Sequence, residues 1–136
     1  MIIEKDGYKF EIDIEATKKY YENNEVCDCD ACKNFQLQAK EAFPKLDEFL
    51  SAFGANILRP DEVSWIQEVD DIDYIDITYT VCGKIIEGSG YEVDLYDSLF
   101  LSVFIDNKYV PNSHKDEDWF SLTVFNVKLP FIVEKE

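Results

Sequence analysis

The chain has 136 residues, 46% of them hydrophobic, including ten Phe and eight Tyr, which is enough to build the core of one ordinary domain and excludes disorder of the whole chain. Its 29 acidic and 13 basic residues leave a net charge of −16. Phosphate backbones need clustered Lys and Arg to release counterions, so direct nucleic-acid binding and anionic-membrane binding are disfavoured, whereas a basic protein partner or a cation fits the charge.

The opening segment, MIIEKDGYKF, has no apolar run of signal-peptide length, and no stretch approaches the roughly 18 apolar residues of a membrane span. A cytoplasmic location is the expectation, with thiols kept reduced. Tyr8, Phe10, Ile12 and Ile14 alternate with charged residues, the period of a strand with one wet face. Ile2 and Ile3 precede it across Asp6-Gly7, a pair suited to tight turns, which predicts an N-terminal β-hairpin.

From Thr17 to Asn24 the pattern predicts a short helix with Tyr20 and Tyr21 on its apolar side, ended by Asn23-Asn24. After a cysteine-rich run, Phe35, Ala39, Ala42, Phe43, Leu46, Phe49, Leu50 and Phe53 form one apolar helical stripe. Asp28 or Asp30 is placed to cap its start and Gly54 to stop it. Pro44 either kinks this helix or begins a second one.

Beyond Arg59-Pro60 the period returns to two. Val63, Trp65 and Val69 share one parity, interrupted by Gln67. Ile75, Ile77, Tyr79 and Val81 should face the helices, opposite Asp76, Thr78, Thr80 and Cys82. Gly83 and Gly88-Ser89-Gly90 read as turns, and Pro111 to Asp118 as a polar loop. Leu99 to Ile105 and Trp119 to Val127 carry large residues on both faces, as strands in the middle of a sheet do. Phe100, Phe104, Trp119 and Phe125 are better read as core than as a ligand cavity. Strands, then helices, then strands predict a single α+β domain over residues 1–136: an N-terminal β-hairpin, a helical segment and a mainly antiparallel sheet.

Two features carry chemical interest. Asp61 to Asp76 holds seven carboxylates and no Lys or Arg. Cys27, Cys29 and Cys32 stand in a C-x-C-x-x-C spacing, with Cys82 fifty residues beyond the last of them. Tetrahedral zinc takes four thiolate or imidazole ligands, so Cys27, Cys29, Cys32 and Cys82 form a candidate metal set, with His114 as the other possible fourth ligand. Against zinc, CDAC lacks the glycine or basic residue that eases a zinc knuckle's backbone toward sulfur, and Cys82 falls on the strand face opposite the helices. A redox role for Cys29 and Cys32 needs a depressed thiol pKa, which the flanking Asp28 and Asp30 oppose. The remaining reading is reduced cysteines packed as small apolar residues. His114, alone in a loop, has no visible orienting partner for acid–base work.

Tyr20, Tyr21, Asn24, Cys27, Cys29, Cys32, Asn34 and Phe35, together with Arg59-Pro60-Asp61-Glu62, form a pattern that resembles a group of small acidic bacterial proteins of uncharacterised function. The resemblance spans most of the chain. It implies that the cysteine segment is shared within the group, and it implies no activity.

The expected function is a non-enzymatic protein-interaction domain with a structural cysteine segment and a basic partner. Its rivals are a zinc-binding protein, a thiol-dependent enzyme using Cys27, Cys29 and Cys32, and an immunity-type inhibitor of a basic partner.

Overall fold

The computed structural model describes residues 2–5, 8–23, 29–87, 91–93, 102–106 and 119–132. The chain forms a mainly antiparallel α+β fold. Strands β1 (Ile2–Lys5) and β2 (Tyr8–Ile12) make the expected N-terminal hairpin, with Lys5 opposite Tyr8. Helices α1 (Ile14–Asn23), α2 (Asp30–Ala42) and α3 (Pro44–Ala52) follow. The rest is strand: β3 (Glu62–Gln67), β4 (Asp71–Glu87), β5 (Tyr91–Val93), β6 (Ser102–Asp106) and β7 (Trp119–Pro130). The sheet order is β1-β2-β4-β7-β6-β5, with β3 paired to β4. The predicted central position of β7 holds, since β4 and β6 flank it.

Local chemistry sets the element ends. Ile14 leaves the strand alternation and opens α1 instead, because Asp13 Oδ1 accepts the Ala16 N–H at 3.0 Å, as a helix N-cap does. Cys29, not an aspartate, occupies the N-cap of α2, and Asp30 lies in its first turn, where its charge favours the helix dipole. Asp28, Gly88-Ser89-Gly90 and the Pro111 to Asp118 segment lie outside the described residues. Pro44 starts a second helix rather than kinking one. Gly54 ends it at φ +85°, and its N–H donates to Ser51 O at 2.9 Å.

Gly83 is not a turn. It sits within β4 opposite Ile12, at φ +154°, and a Cβ there would lie 2.2 Å from the Glu11 carbonyl oxygen. Only glycine lets β2 approach this closely.

The core gathers where α3 meets the sheet. Phe10 stacks on Phe120 at 5.4 Å, and Phe53 meets Phe10 edge-on at 5.6 Å. Leu46, Leu50, Tyr79, Val81 and Leu122 are fully buried around them. Each such side chain contributes roughly 1.5–3 kcal/mol through burial.

Strand β4 departs from simple alternation. Ile72 and Tyr74 are buried, Ile75 is exposed, and Ile77, Tyr79 and Val81 are buried. In β7 the buried set shifts likewise, from Val124 to Val127. The β3 register slips by one between Ser64 and Trp65, which leaves Ile75 without a β3 partner, a bulge. Beyond it the opposite face is buried too, with Thr78, Thr80 and Cys82 all covered.

Helix α1 closes the adjoining edge of β4. Alternate residues of a strand aim their backbone groups at the same edge. On this edge Thr78 O accepts the Asp61 N–H at 2.8 Å, where β3 begins, and Gly83 onward pairs with β2. Between them Tyr21 Oη donates to Thr80 O and accepts the Thr80 N–H, both at 2.8 Å. Thr17 Oγ1 accepts the Cys82 N–H at 3.0 Å, and Asp13 N–H donates to Cys82 O at 3.0 Å. Side chains along α1 and the backbone just before it thus complete the ladder between β3 and β2.

Tyr21→Phe leaves both Thr80 groups without these partners, so unfolding free energy should fall by about 2 kcal/mol or more in a denaturant titration, and an unchanged midpoint would refute the ladder role. Burial raises the pKa of Tyr21, Tyr74 and Tyr79 above the ordinary 10.0. The folded state then holds its phenol protons after the unfolded chain has released them. Stability from this source is intact below pH 10 and lost as pH climbs above it. Unfolding should therefore coincide with a cooperative rise in tyrosinate absorbance.

Candidate functional site

The cysteine segment leads into α2. Cys29 is half-buried and its carbonyl accepts the Lys33 N–H at 2.9 Å, closing the first helical turn. Cys32 is buried beside Ala31 and Phe35, the pattern of a helix face turned to the core. Tyr74 reaches this helix from β4, its hydroxyl donating to Ala31 O at 2.5 Å and its ring 5.4 Å from Phe35. Burial first, then the nearby Asn34 bond and the Cys32 and Cys29 sulfurs, set the Tyr74 pKa, with a net rise.

Asn34, fully buried one turn on, clamps α2 to the end of β7. Its Nδ2 donates to Pro130 O at 3.0 Å, and its Oδ1 accepts the Ile132 N–H at 2.8 Å. Gln38 Nε2 adds bonds to Asn34 Oδ1 and Pro130 O. Sequence reasoning met Asn34 only as part of a pattern. An amide among apolar neighbours is the signal that marks such a clamp.

Cys82 does not join this segment. Cys29 and Cys32 border Tyr74, and Cys82 lies eight residues further along β4, about 26 Å of strand at about 3.3 Å per residue. It is 7% exposed and lies beneath α1, tied there through its backbone. Its cross-strand partner is Trp119, whose ring packs on Tyr20 at 5.4 Å. Cys82 is thus buried although it falls on the face opposite Tyr79 and Val81, and it stands apart from Cys29 and Cys32. Cys29, Cys32 and Cys82 are thiols in the structure. Among the described residues, no group of three or more His, Cys, Asp and Glu is arranged to hold a metal ion. Cys27 and His114 lie outside the described residues.

The other chemically distinctive region is the acidic β3–β4 hairpin. Glu68 N–H donates to Asp71 O at 2.8 Å, so Val69-Asp70 forms the turn. The strand reading of Val69 is thereby corrected, and this residue is 95% exposed at the tip. Trp65 at 40%, Ile66 at 56% and Ile75 at 43% are exposed on the same hairpin. Around them stand Glu62, Glu68, Asp70, Asp71, Asp73 and Asp76. Lys128, from the neighbouring β7, places Nζ 3.4 Å from Glu68 and 3.7 Å from Asp71. The Glu68 hydrogen bond and the Asp71 charge raise its pKa. Exposed apolar residues rimmed by charged ones, mostly acidic here, are the mark of an interaction surface.

Basic residues gather elsewhere. Lys18, Lys40 and Arg59 line a cleft of about 520 Å³ beside α1 and α3, together with Glu22 and Asp47. Cations and carboxylates are mixed there, in contrast to the hairpin. Asp61 roots that hairpin, since its side chain accepts the Tyr20 hydroxyl of α1.

The exposures predict an order of thiol reactivity. In the folded protein Cys29 should be alkylated well before Cys32 and Cys82, read by mass spectrometry after brief treatment, and equal rates for Cys29 and Cys82 would contradict the burial of Cys82 beneath α1. Against known protein families, curated proteins and solved structures, the chain matches none.

Proposed function

We propose that the protein is a non-enzymatic interaction domain that captures a basic protein partner at the β3–β4 hairpin. One observation carries this reading: Trp65, Ile66, Val69 and Ile75 are exposed together within a segment of seven carboxylates and no Lys or Arg. Exposed aromatic and branched side chains supply the desolvation energy of an interface, and the surrounding charge steers encounter and selects the partner's sign. The net charge of −16 extends the same field over longer range. In this reading Cys29 and Cys32 serve packing at the start of α2, where Cys32 is buried and Cys29 borders the core. An immunity-type protein that blocks a basic partner is one form such a domain would take.

The charge argument sets the test. Association with a basic polypeptide such as polylysine should slow by about tenfold or more as the Debye length contracts from about 10 Å at 0.1 M salt to about 3 Å at 1 M. The triple variant Asp70→Asn, Asp73→Asn, Asp76→Asn should lose much of that salt dependence and keep the fold. Capture that ignores both salt and these substitutions would remove the basis of the proposal.

A further inference from the structure

Strand β3 is an edge. Among the described residues it pairs with β4 alone, and five of its six residues are exposed. Its hydrogen-bonding pattern follows from the turn. Glu68 and Asp71 form a hydrogen-bonded pair, and such pairs alternate with non-bonded ones along an antiparallel ladder. Ile66 with Asp73 is therefore bonded, while Trp65 with Tyr74 and Gln67 with Ile72 are not. Trp65 and Gln67 consequently aim their N–H and C=O groups away from β4, at the open edge. Successive side chains alternate faces, so Trp65 and Ile66 put apolar surface on opposite sides of that edge.

We infer that a basic, extended segment of a partner protein docks on β3 as an added strand, bonded through the Trp65 and Gln67 backbones. This inference rests on the interaction reading above and specifies how the partner binds. Charge decides the occupant. A second copy of this chain would bring its own Glu62, Glu68, Asp70 and Asp73 against the same residues, and that repulsion blocks edge-to-edge self-pairing. A strand bearing Lys or Arg meets the opposite field. Main-chain bonds then supply affinity, and alternate side chains, apolar toward Trp65 or Ile66 and basic toward the carboxylates, supply specificity. Six residues of β3 offer roughly 20 Å of edge, enough for an ordinary strand.

The test uses a synthetic peptide of alternating Lys and Val and a copy methylated on alternate backbone nitrogens, which keeps charge and removes strand donors. Binding to the intact protein is read by titration, together with amide exchange at Trp65 and Gln67. The variant Gln67→Pro removes an outward N–H without touching the bonds to β4. The expected result is slowed exchange at both amides on binding, with affinity about tenfold lower for the methylated peptide and for Gln67→Pro. If the methylated peptide binds equally well and both amides keep their exchange rates, strand addition is wrong while capture by charge survives. Failure of both peptides to bind at low salt overturns both readings. Concentration-dependent self-association that protects the same two amides would assign the edge to a second copy instead. Should Gln67→Pro not fold, the methylated peptide with the unaltered protein still gives the decision.

Discussion

The edge of β4 between β3 and β2 is the constraint on which the architecture turns. A buried strand edge cannot leave its N–H and C=O groups without partners, since each costs about 1–3 kcal/mol. Here β3 stops at Thr78 and β2 begins at Gly83. Tyr21 fills the space at Thr80, and Thr17 and Asp13 fill it at Cys82. Helix α1 is thus held as a surrogate strand, and its position fixes where the hairpin of β1 and β2 can reach the sheet. Gly83 permits the final approach.

Two more buried tyrosines extend this scheme. Tyr74 donates to Ala31 O in α2, and Tyr79 donates to Ile57 O beyond α3 at 2.6 Å. Together with Tyr21, they tie α1, α2 and the segment after α3 to the same strand through hydroxyls that burial keeps protonated. The bulge at Ile75 makes this possible. Tyr74 and Tyr79 have opposite parity in sequence, and the one-residue shift lets both point inward. The same shift turns Ile75 out to solvent beside Ile66 and Val69. A single irregularity therefore serves both core and surface.

The acidic residues follow an equally physical division. Those of the hairpin flank exposed apolar residues on an edge that no further described strand covers, a combination that would invite aggregation in a neutral protein. The predominantly negative charge of the hairpin opposes pairing between copies. Asp61, which receives the Tyr20 hydroxyl, joins this hairpin to α1. The cysteines belong to the interior instead. Cys32 is buried on α2 near Tyr74, and Cys82 is buried further along β4 where α1 meets the strand.

Local pattern was enough for much of this. Alternation at Tyr8, Phe10 and Ile12, the apolar stripe from Phe35 to Phe53, Pro44 as a helix start and Gly54 as a stop are all encoded within a few residues, because turns, caps and periodicity are short-range physics. The α+β class and the concentration of carboxylates from Asp61 to Asp76 were legible on the same grounds. Tertiary structure alone decided that Gly83 lies inside a strand, that Cys82 is covered and stands apart from Cys29 and Cys32, and that Trp65 lies on an open edge. Each depends on which distant segment closes on β4, whether β2 at Gly83, α1 at Cys82 or no further strand at β3 among the described residues. A one-residue bulge, invisible to a period of two, then decides which side chains face in.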